Sequence, residues 1–168
     1  GHVRIYSLVG GQWIQLGADI DGEDVGTGTT EFNTAHAISI SGDGSTIAFG
    51  NGQIDAAGVD AGRVRVYEMV GDSWSQRGAA IDGQSSDDFS GSSISLSRDG
   101  TVLAIGALKK NGESGPDSGG VRVFEWTAAN AWDLVGEFDG EAAFDLSSVV
   151  SLSADGSTLA VGAVGNDQ

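Results

Sequence analysis

The sequence predicts an all-β protein in which a unit of four short antiparallel strands recurs about three times. Two observations support this. The segments "VRIY", "VRVY" and "VRVF" begin at Val3, Val64 and Val121, which gives a repeat period of about 57 residues. In addition, 28 of the 168 residues are glycine and only one is proline. That composition favours many tight turns between short strands.

Each repeat is predicted to contain four strands, which we label A to D in chain order. Strand A is rich in serine, as in "SSISLS", and strand B is almost entirely apolar, as in "TVLAIGA". An Asp-Gly pair separates them, and this dipeptide is a strong signal for a tight hairpin turn. Strand C begins with the recurring "VR" pair, and strand D contains a recurring tryptophan.

Four short antiparallel strands in a unit of this length are typical of one blade of a β-propeller. The small serine side chains of strand A fit the crowded central axis. The apolar strand B fits a position that neighbouring blades cover on both faces. A β-solenoid is the alternative, but its coils are shorter and rarely contain tight Asp-Gly hairpins. The propeller is therefore the favoured fold.

The repeats begin and end out of phase with the blades. Within a single repeat domain over residues 1–168, a C-D hairpin is predicted at residues 3–20 and an A-B hairpin at residues 148–164. Complete blades are predicted at residues 36–81 and 92–138. Because propellers typically have about four to eight blades, about three are too few to close a ring. We expect either a partial propeller from a longer chain or half of a six-bladed ring.

The charge of the chain excludes several classes of partner. There are 24 acidic and 8 basic side chains, a formal net charge of −16, so the surface should repel the phosphates of nucleic acids. No apolar run approaches the roughly 20 residues that span a membrane, so no membrane insertion is expected. The absence of cysteine excludes disulfides and cysteine-based zinc sites.

Most of the acidic residues fall in the loops between strands B and C and in the linkers between strand D and the next strand A. In a propeller these segments share one face, which we call the acidic loop face. It is a candidate surface for a partner protein or a glycan, with Ca²⁺ as a candidate bridging ion; the alternative is that long loops are simply polar and solvated. The candidate binding residues are Asp21, Glu23, Asp24, Asp82, Asp87, Asp88, Asp139, Glu141 and Asp145.

Recurring tryptophans and arginines are predicted to have structural roles. A tryptophan in the outer strand can cap the groove between blades. An arginine between alternating valines can stack on an aromatic ring or pair with a carboxylate of the next blade. The recurring residues are Trp13, Trp74, Trp132, Arg4, Arg65 and Arg122. An additional Trp126 could bind a sugar ring, although packing is the favoured role.

The segment "FSGSSISLSRDGTVLAIGA" at residues 89–107 resembles the FG-GAP repeat of integrin α-chain propellers. The resemblance implies an extracellular or cell-surface interaction module of the kind used in cell adhesion. The A-B turns differ from the integrin pattern, because each has one aspartate (Asp43, Asp99 or Asp155) instead of several. One carboxylate cannot supply the roughly six to eight oxygens that calcium takes. These aspartates are therefore predicted to be turn residues, and no integrin-type calcium site is expected.

The sequence offers little support for catalysis. His2 and His36 occupy unrelated repeat positions, and no GxSxG, HExxH or P-loop motif occurs. The favoured function is therefore a non-enzymatic module for recognition or scaffolding. One alternative is an assembly subunit that associates with itself through exposed blade edges and so completes a propeller. The other is a propeller-based hydrolase that uses paired carboxylates such as Asp87 and Asp88.

Overall fold

The computed structural model describes residues 1–22 and 37–165 of the chain. These residues form strands, turns and loops, without a helix. The strands are β1 (His2–Val3), β2 (Tyr6–Val9), β3 (Gln12–Gln15), β4 (Ile20–Asp21), β5 (Ala37–Ile40), β6 (Thr46–Asn51), β7 (Arg63–Val70), β8 (Ser73–Gln76), β9 (Ile81–Asp82), β10 (Ser90–Leu96), β11 (Val102–Ala107), β12 (Gly120–Trp126), β13 (Trp132–Asp139), β14 (Ser147–Leu152) and β15 (Leu159–Ala163). Within this part of the chain, no helix is available that could span a membrane.

Two complete blades form the middle of the molecule. In the first blade, β5, β6, β7 and β8 are hydrogen-bonded in that order, and β9 continues strand D against β7. In the second blade the order is β10, β11, β12 and β13. Every pair is antiparallel. The predicted all-β fold of four-stranded antiparallel blades is confirmed.

Two incomplete units flank these blades. Strands β1 to β4 form the C-D hairpin, in which β2 pairs with β3 and β1 pairs with β4. Strands β14 and β15 form the A-B hairpin. The described residues therefore make a partial propeller that begins with strands C and D and ends with strands A and B, as the sequence predicts.

The hydrophobic core lies between successive units. Val3 and Ile5 of the C-D hairpin pack against Ile47 and Phe49 of β6. The side chains of β7 in turn contact Leu103 and Ile105 of β11, and β11 and β12 contact Val150 of β14. Strand B is thus covered on both faces in each complete blade. This explains why its sequence is apolar without alternation.

The inner strands approach one another closely, which explains their small residues. The hydroxyl of Ser39 accepts a hydrogen bond from the amide of Leu96 in the next blade (3.0 Å), and the hydroxyl of Ser93 does the same for Val150 (3.1 Å). A Cβ atom at Gly106 would collide with the carbonyl oxygen of Ser148. The serine hydroxyls and the missing side chain of Gly106 therefore allow this close approach between neighbouring blades.

Candidate functional site

The loops between strands B and C lie against the linkers between strands D and A. The amide of Asp87 donates to the carbonyl oxygen of Val59 (2.8 Å), and that of Phe89 donates to Asp60 (3.0 Å). In the second blade, the amide of Phe144 donates in the same way to Pro116 (3.0 Å). These bonds bring loops 52–62 and 108–119 together with linkers 83–89 and 140–146 on the acidic loop face.

The linker at residues 83–89 is held between two loops. One side is bonded to loop 52–62, and on the other side the amide of Lys109 donates to the carbonyl oxygen of Asp88 (3.2 Å). The Lys109 ammonium lies 4.8 Å from the centroid of the Phe89 ring, within the range of a cation–π contact. Lys109 therefore brings an exposed cation to this linker, at the Phe89 ring. Lys109 is not among the predicted site residues, although "KK" at residues 109–110 is the only lysine pair in an acidic chain.

Two carboxylates predicted to contact a partner are buried instead. Asp88 accepts hydrogen bonds from the backbone amides of Gln84 (3.1 Å) and Ser85 (2.8 Å), and Asp145 accepts one from Ala142 (2.8 Å). Both side chains lie under the linker they bond. They satisfy backbone donors that the linker would otherwise bury without a partner. Asp88 and Asp145 therefore shape the acidic loop face from below and do not reach its surface.

Asp87 differs from its equivalent in the next repeat. It has a φ of 64°, and Phe144 at the same position in the next linker has a φ of 66°. This left-handed conformation is uncommon for residues other than glycine and costs about 1 kcal/mol or more. Because phenylalanine adopts it equally well here, the linker does not require an aspartate. The exposed Asp87 carboxylate is thus not explained by the local fold.

Each B-C loop contains a hydrogen bond of the same kind, and this bond explains two further polar residues. The amide of Asp60 donates to the Asp55 carboxylate (2.8 Å), and the amide of Asp117 donates to the Asn111 side-chain oxygen (2.9 Å). An aspartate in one loop and an asparagine in the other make the same bond. Asp55 therefore has a structural role that does not depend on its charge.

The aspartates at the ends of strand D are paired with basic residues. Arg63 contacts the Asp82 carboxylate at 2.6 Å, and Lys110 contacts both Asp139 and Glu137. The ammonium group of Lys110 holds the pKa of Asp139 below its ordinary value. Asp21 lies at the corresponding end of β4, where its carbonyl oxygen accepts a bond from Arg65 (3.4 Å). These contacts stabilise the ends of strand D at the border of the acidic loop face.

The other predicted binding residues are Glu141, Glu23 and Asp24. Glu141 is exposed on the linker of the second blade. Glu23 and Asp24 lie outside the described residues. Among the residues that the structure describes, no group of three or more histidine, aspartate or glutamate side chains could hold a metal ion. The Ca²⁺ bridge suggested by the sequence therefore has no ligand set in this part of the chain.

The aspartates of the A-B turns bond within their own turns. Asp43 accepts hydrogen bonds from the Ser41 hydroxyl (2.7 Å) and the Ser45 amide (2.9 Å), and Asp155 repeats this with Ser153 and Ser157. The Ser41 hydroxyl and then the Ser45 amide lower the pKa of Asp43 to about 2. These bonds stabilise the charged carboxylate and the turn together. They match the turn role that the sequence predicts for these positions.

The recurring tryptophans connect neighbouring units where a preceding unit is present. The indole of Trp74 donates to the carbonyl oxygen of Leu16 (2.8 Å), and that of Trp132 donates to Arg77 (2.9 Å). Trp13, in the first unit, is 70% exposed. Trp126 packs against Trp132 with ring centroids 5.2 Å apart and contacts the Arg77 guanidinium. Trp126 therefore lies in an aromatic cluster between the two complete blades.

The recurring arginines lie across the junctions between units. The Nη2 atom of Arg122 donates to the carbonyl oxygen of Asp82 (2.8 Å) and to the hydroxyl of Ser90 (2.9 Å). Burial of this guanidinium lowers the pKa of Arg122, and its ring neighbour is Phe124, 5.4 Å away. Arg65 stacks on Phe49 in the same way (5.0 Å). Arg4, in the first unit, forms an exposed pair with Asp19 (2.9 Å).

No protein-family model matches the sequence, and a search of curated proteins finds no match. Solved structures do resemble the chain. One is the structure of the periplasmic gluconolactonase of Pseudomonas aeruginosa, which matches with a TM-score of 0.58 and 18% sequence identity. The match covers 98% of this chain and 44% of the gluconolactonase chain. The chain therefore shares its fold with rather less than half of that protein.

This comparison corrects two interpretations of the sequence. The prediction that the protein is not an enzyme is contradicted, because the neighbouring structure is that of an enzyme. The absence of a short catalytic motif is a weak argument on such a fold, where reacting groups come from separate loops. The propeller fold is supported, but the narrower resemblance to integrin-type FG-GAP repeats, with its adhesion function, receives no support.

Proposed function

We propose that this chain is part of a β-propeller hydrolase that opens a cyclic ester, with reacting groups on the acidic loop face around Asp87. The observation that carries the proposal is the fold shared with a gluconolactonase over 98% of the chain. Opening a lactone needs a base that takes a proton from water and a positive group near the carbonyl oxygen. The face offers one candidate for each role.

Asp87 is the candidate general base. In the proposed reaction its carboxylate takes a proton from a water molecule, whose oxygen forms a bond to the lactone carbonyl carbon. The ring C–O bond then breaks, and the leaving oxygen receives the proton. Asp87 is chosen because it is exposed and because Phe144 replaces it in the next repeat without changing the backbone. Its carboxylate is therefore available for chemistry.

Lys109 is the candidate group that stabilises the negative charge on the carbonyl oxygen. Its backbone amide donates to the carbonyl oxygen of Asp88, the residue after Asp87, and its ammonium lies over the Phe89 ring. This backbone contact places the main chain of Lys109 next to the linker that carries Asp87. An ammonium at the point where negative charge develops lowers the barrier more than it stabilises the neutral substrate.

The complete site is expected to need more than the described residues. The chain spans less than half the length of the gluconolactonase it resembles. In a propeller the loops of several blades surround one central site, so further blades would supply its remaining wall. Because the neighbouring enzyme is periplasmic by its description, we also propose that this protein works outside the cytoplasm.

A lactone-opening assay tests the proposal. The chain is incubated with a sugar δ-lactone, and acid release is followed at constant pH and corrected for the uncatalysed rate. Asp87→Asn is expected to lower kcat/KM about a hundredfold or more, and Lys109→Met by about a hundredfold. Asp72→Asn, which removes an exposed carboxylate in the turn between β7 and β8, is the matched control and should have no effect. Hydrolysis that is equal in all four proteins would refute the roles of Asp87 and Lys109, and absent hydrolysis would refute catalysis by this part of the propeller on its own.

A second candidate function is recognition of a glycan by the same face. Val59 and Phe144 are both 61% exposed, and they lie beside Asp87 and Glu141 on the loop and linkers of this face. An exposed aromatic ring next to carboxylates can stack on the apolar face of a sugar while the acids bond its hydroxyls. Calorimetric titration with neutral oligosaccharides tests this. Phe144→Ser should weaken binding about tenfold, whereas Phe138→Ser, which removes another exposed phenylalanine, should not.

A further inference from the structure

The two adjacent lysines of loop 108–119 have different partners. The ammonium of Lys110 pairs with the carboxylates of Glu137 (2.7 Å) and Asp139, and only 13% of its side chain is exposed. Lys109 is exposed, and in the part of the chain that the structure describes no carboxylate forms an ion pair with it. Its ammonium lies over the Phe89 ring instead. The charge of Lys110 is therefore neutralised, whereas that of Lys109 faces an uncharged group.

Backbone hydrogen bonds fix the positions from which the ring and the ammonium meet. The amide of Phe89 donates to the carbonyl oxygen of Asp60 in the preceding loop (3.0 Å). The amide of Lys109 donates to the carbonyl oxygen of Asp88, the residue before Phe89 (3.2 Å). Both side chains therefore start from neighbouring, hydrogen-bonded points of the main chain, and the ammonium reaches 4.8 Å from the ring centroid.

The next unit builds the same backbone frame without the ring and without the ammonium. Leu146 stands at the position of Phe89, and its amide makes the equivalent bond (3.2 Å); Gly165 stands at the position of Lys109 and does the same (2.9 Å). Phe89 and Leu146 also have nearly the same φ, 52° and 53°. The frame thus requires neither side chain. The ring and the lysine occur together in one unit, and both are replaced in the next.

A ring is an informative partner for a lysine on an acidic surface. The linker that carries Phe89 has the exposed Asp87, and the neighbouring Lys110 shows how readily a lysine of this loop pairs with carboxylates. A carboxylate would compensate the positive charge. The face of an aromatic ring attracts an ammonium through its quadrupole and carries no net charge. Phe89 therefore holds the Lys109 ammonium without neutralising it.

We propose that Phe89 is a positioning residue for Lys109, and that its ring holds the ammonium ready to stabilise the carbonyl oxygen of the lactone. This inference rests on the proposed lactone-opening function. Phe89 forms and breaks no bond in that reaction. A lysine already held in place does not lose its rotamer freedom when charge develops on the substrate, so its stabilisation falls mainly on the transition state.

The leucine of the next unit supplies the variant that tests the proposal. Phe89→Leu removes the ring and introduces the residue that already adopts this backbone conformation. With a sugar δ-lactone as the substrate, it should lower kcat about fivefold and change KM less than about twofold, as expected for the loss of one cation–π contact. Phe89→Tyr, which keeps an aromatic face, should restore kcat. Phe138→Leu removes another exposed phenylalanine ring and is the matched control.

A double-mutant cycle separates a positioning role from a structural one. If the ring acts through the ammonium, Phe89→Leu should have no further effect once Lys109→Met has been introduced. If the ring only supports the linker, Phe89→Leu should lower kcat by the same factor with and without Lys109. The second result would overturn the inference, and so would a Phe89→Leu variant with unchanged kcat.

NMR measures the contact itself in the absence of a substrate. The ring current of Phe89 should shift the Cε protons of Lys109 upfield of those of Lys110, and the shift should vanish in Phe89→Leu and return in Phe89→Tyr. An absent shift would overturn the inference even if the chain hydrolyses lactones. A shift without any hydrolysis would instead count against the proposed function in this part of the propeller, and the catalytic role of Phe89 would fail with it.

Discussion

Strands β11 and β15 have nearly the same sequence but opposite surroundings. The letters are "VLAIGA" at residues 102–107 and "TLAVGA" at residues 158–163. Leu103, Ala104 and Ile105 are fully inaccessible to solvent, because neighbouring units cover both faces and strands pair with both edges. In β15, Leu159 is half-buried and Val161 is exposed.

The comparison shows that the sequence of a strand reflects the burial that it has in the repeat, even where the described residues do not bury it. A strand that is apolar on both faces gains stability only when both faces are covered. Strand β15 has this composition but one face and one edge lack a partner in the described residues. The exposure of the apolar side chains of β15 therefore results from its uncovered edge and is not a feature of strand B in the complete blades.

The largest expected effect comes from truncating the same leucine in the two strands. Leu103→Ala should lower the free energy of unfolding by about 3 kcal/mol, because it leaves a cavity where no solvent can enter. Leu159→Ala should cost less than about 1 kcal/mol, because water already reaches this side chain. Urea unfolding of both variants, at protein concentrations below any self-association, measures the difference.

Equal losses in the two variants would contradict the comparison, since they would mean that the edge is covered in solution. A loss at Leu159 that grows with protein concentration would instead indicate that self-association buries β15. Leu103→Ile, which keeps the volume, should cost under about 1.5 kcal/mol and shows that the cavity causes the loss.

A smaller difference in stability than that between the two leucine variants is expected between two of the recurring tryptophans. Trp132 packs on Trp126 and donates to Arg77, so Trp132→Ala should cost about 2 to 3 kcal/mol. Trp13 is largely exposed, and Trp13→Ala should cost less than about 0.5 kcal/mol in the monomer. Thermal and urea unfolding of the two variants provide the test. A large loss for Trp13→Ala under monomeric conditions would show that the first unit is packed more tightly than described.

Local sequence signals predicted the blade architecture, because strands and turns depend mainly on neighbouring residues. The Asp-Gly pairs mark the A-B turns correctly: Gly44, Gly100 and Gly156 all have φ near +70°. The 57-residue recurrence also predicted which strands pair, since equivalent segments form equivalent edges. The alternation of serine in strand A corresponds to hydroxyls that bond the next blade.

The acidic loop face was less predictable, because its features depend on packing between distant segments. Burial of Asp88 follows from the way its linker folds over it, and no nearby residue indicates this. The contact of Lys109 with the linker that carries Asp87 depends on which loop contacts which linker. A comparison of repeats could have selected Asp87, because Phe144 stands at the same position in the next unit.

The smallest expected difference concerns the aspartates of the A-B turns. The turn of a complete blade and the turn between β14 and β15 should have the same carboxyl pKa. The pKa of Asp43, in a complete blade, is lowered to about 2, and so is that of Asp155, in the open hairpin. The first cause at Asp155 is the Ser153 hydroxyl, followed by the Ser157 amide. Since both bonds lie within the turn, covering the edge should not change them.

Carboxyl titration by NMR measures both pKa values. Because each folded pKa lies below the ordinary value of 3.8, the stabilisation is present above pH 3.8 and is lost as the pH falls through about 2. Ser153→Ala should raise the pKa of Asp155 towards 3.8 and leave that of Asp43 near 2. If Asp155 titrates near 3.8 in the unmodified protein while Asp43 titrates near 2, the turn depends on whether the edge of β15 is covered. Local turn chemistry would then not be independent of blade packing.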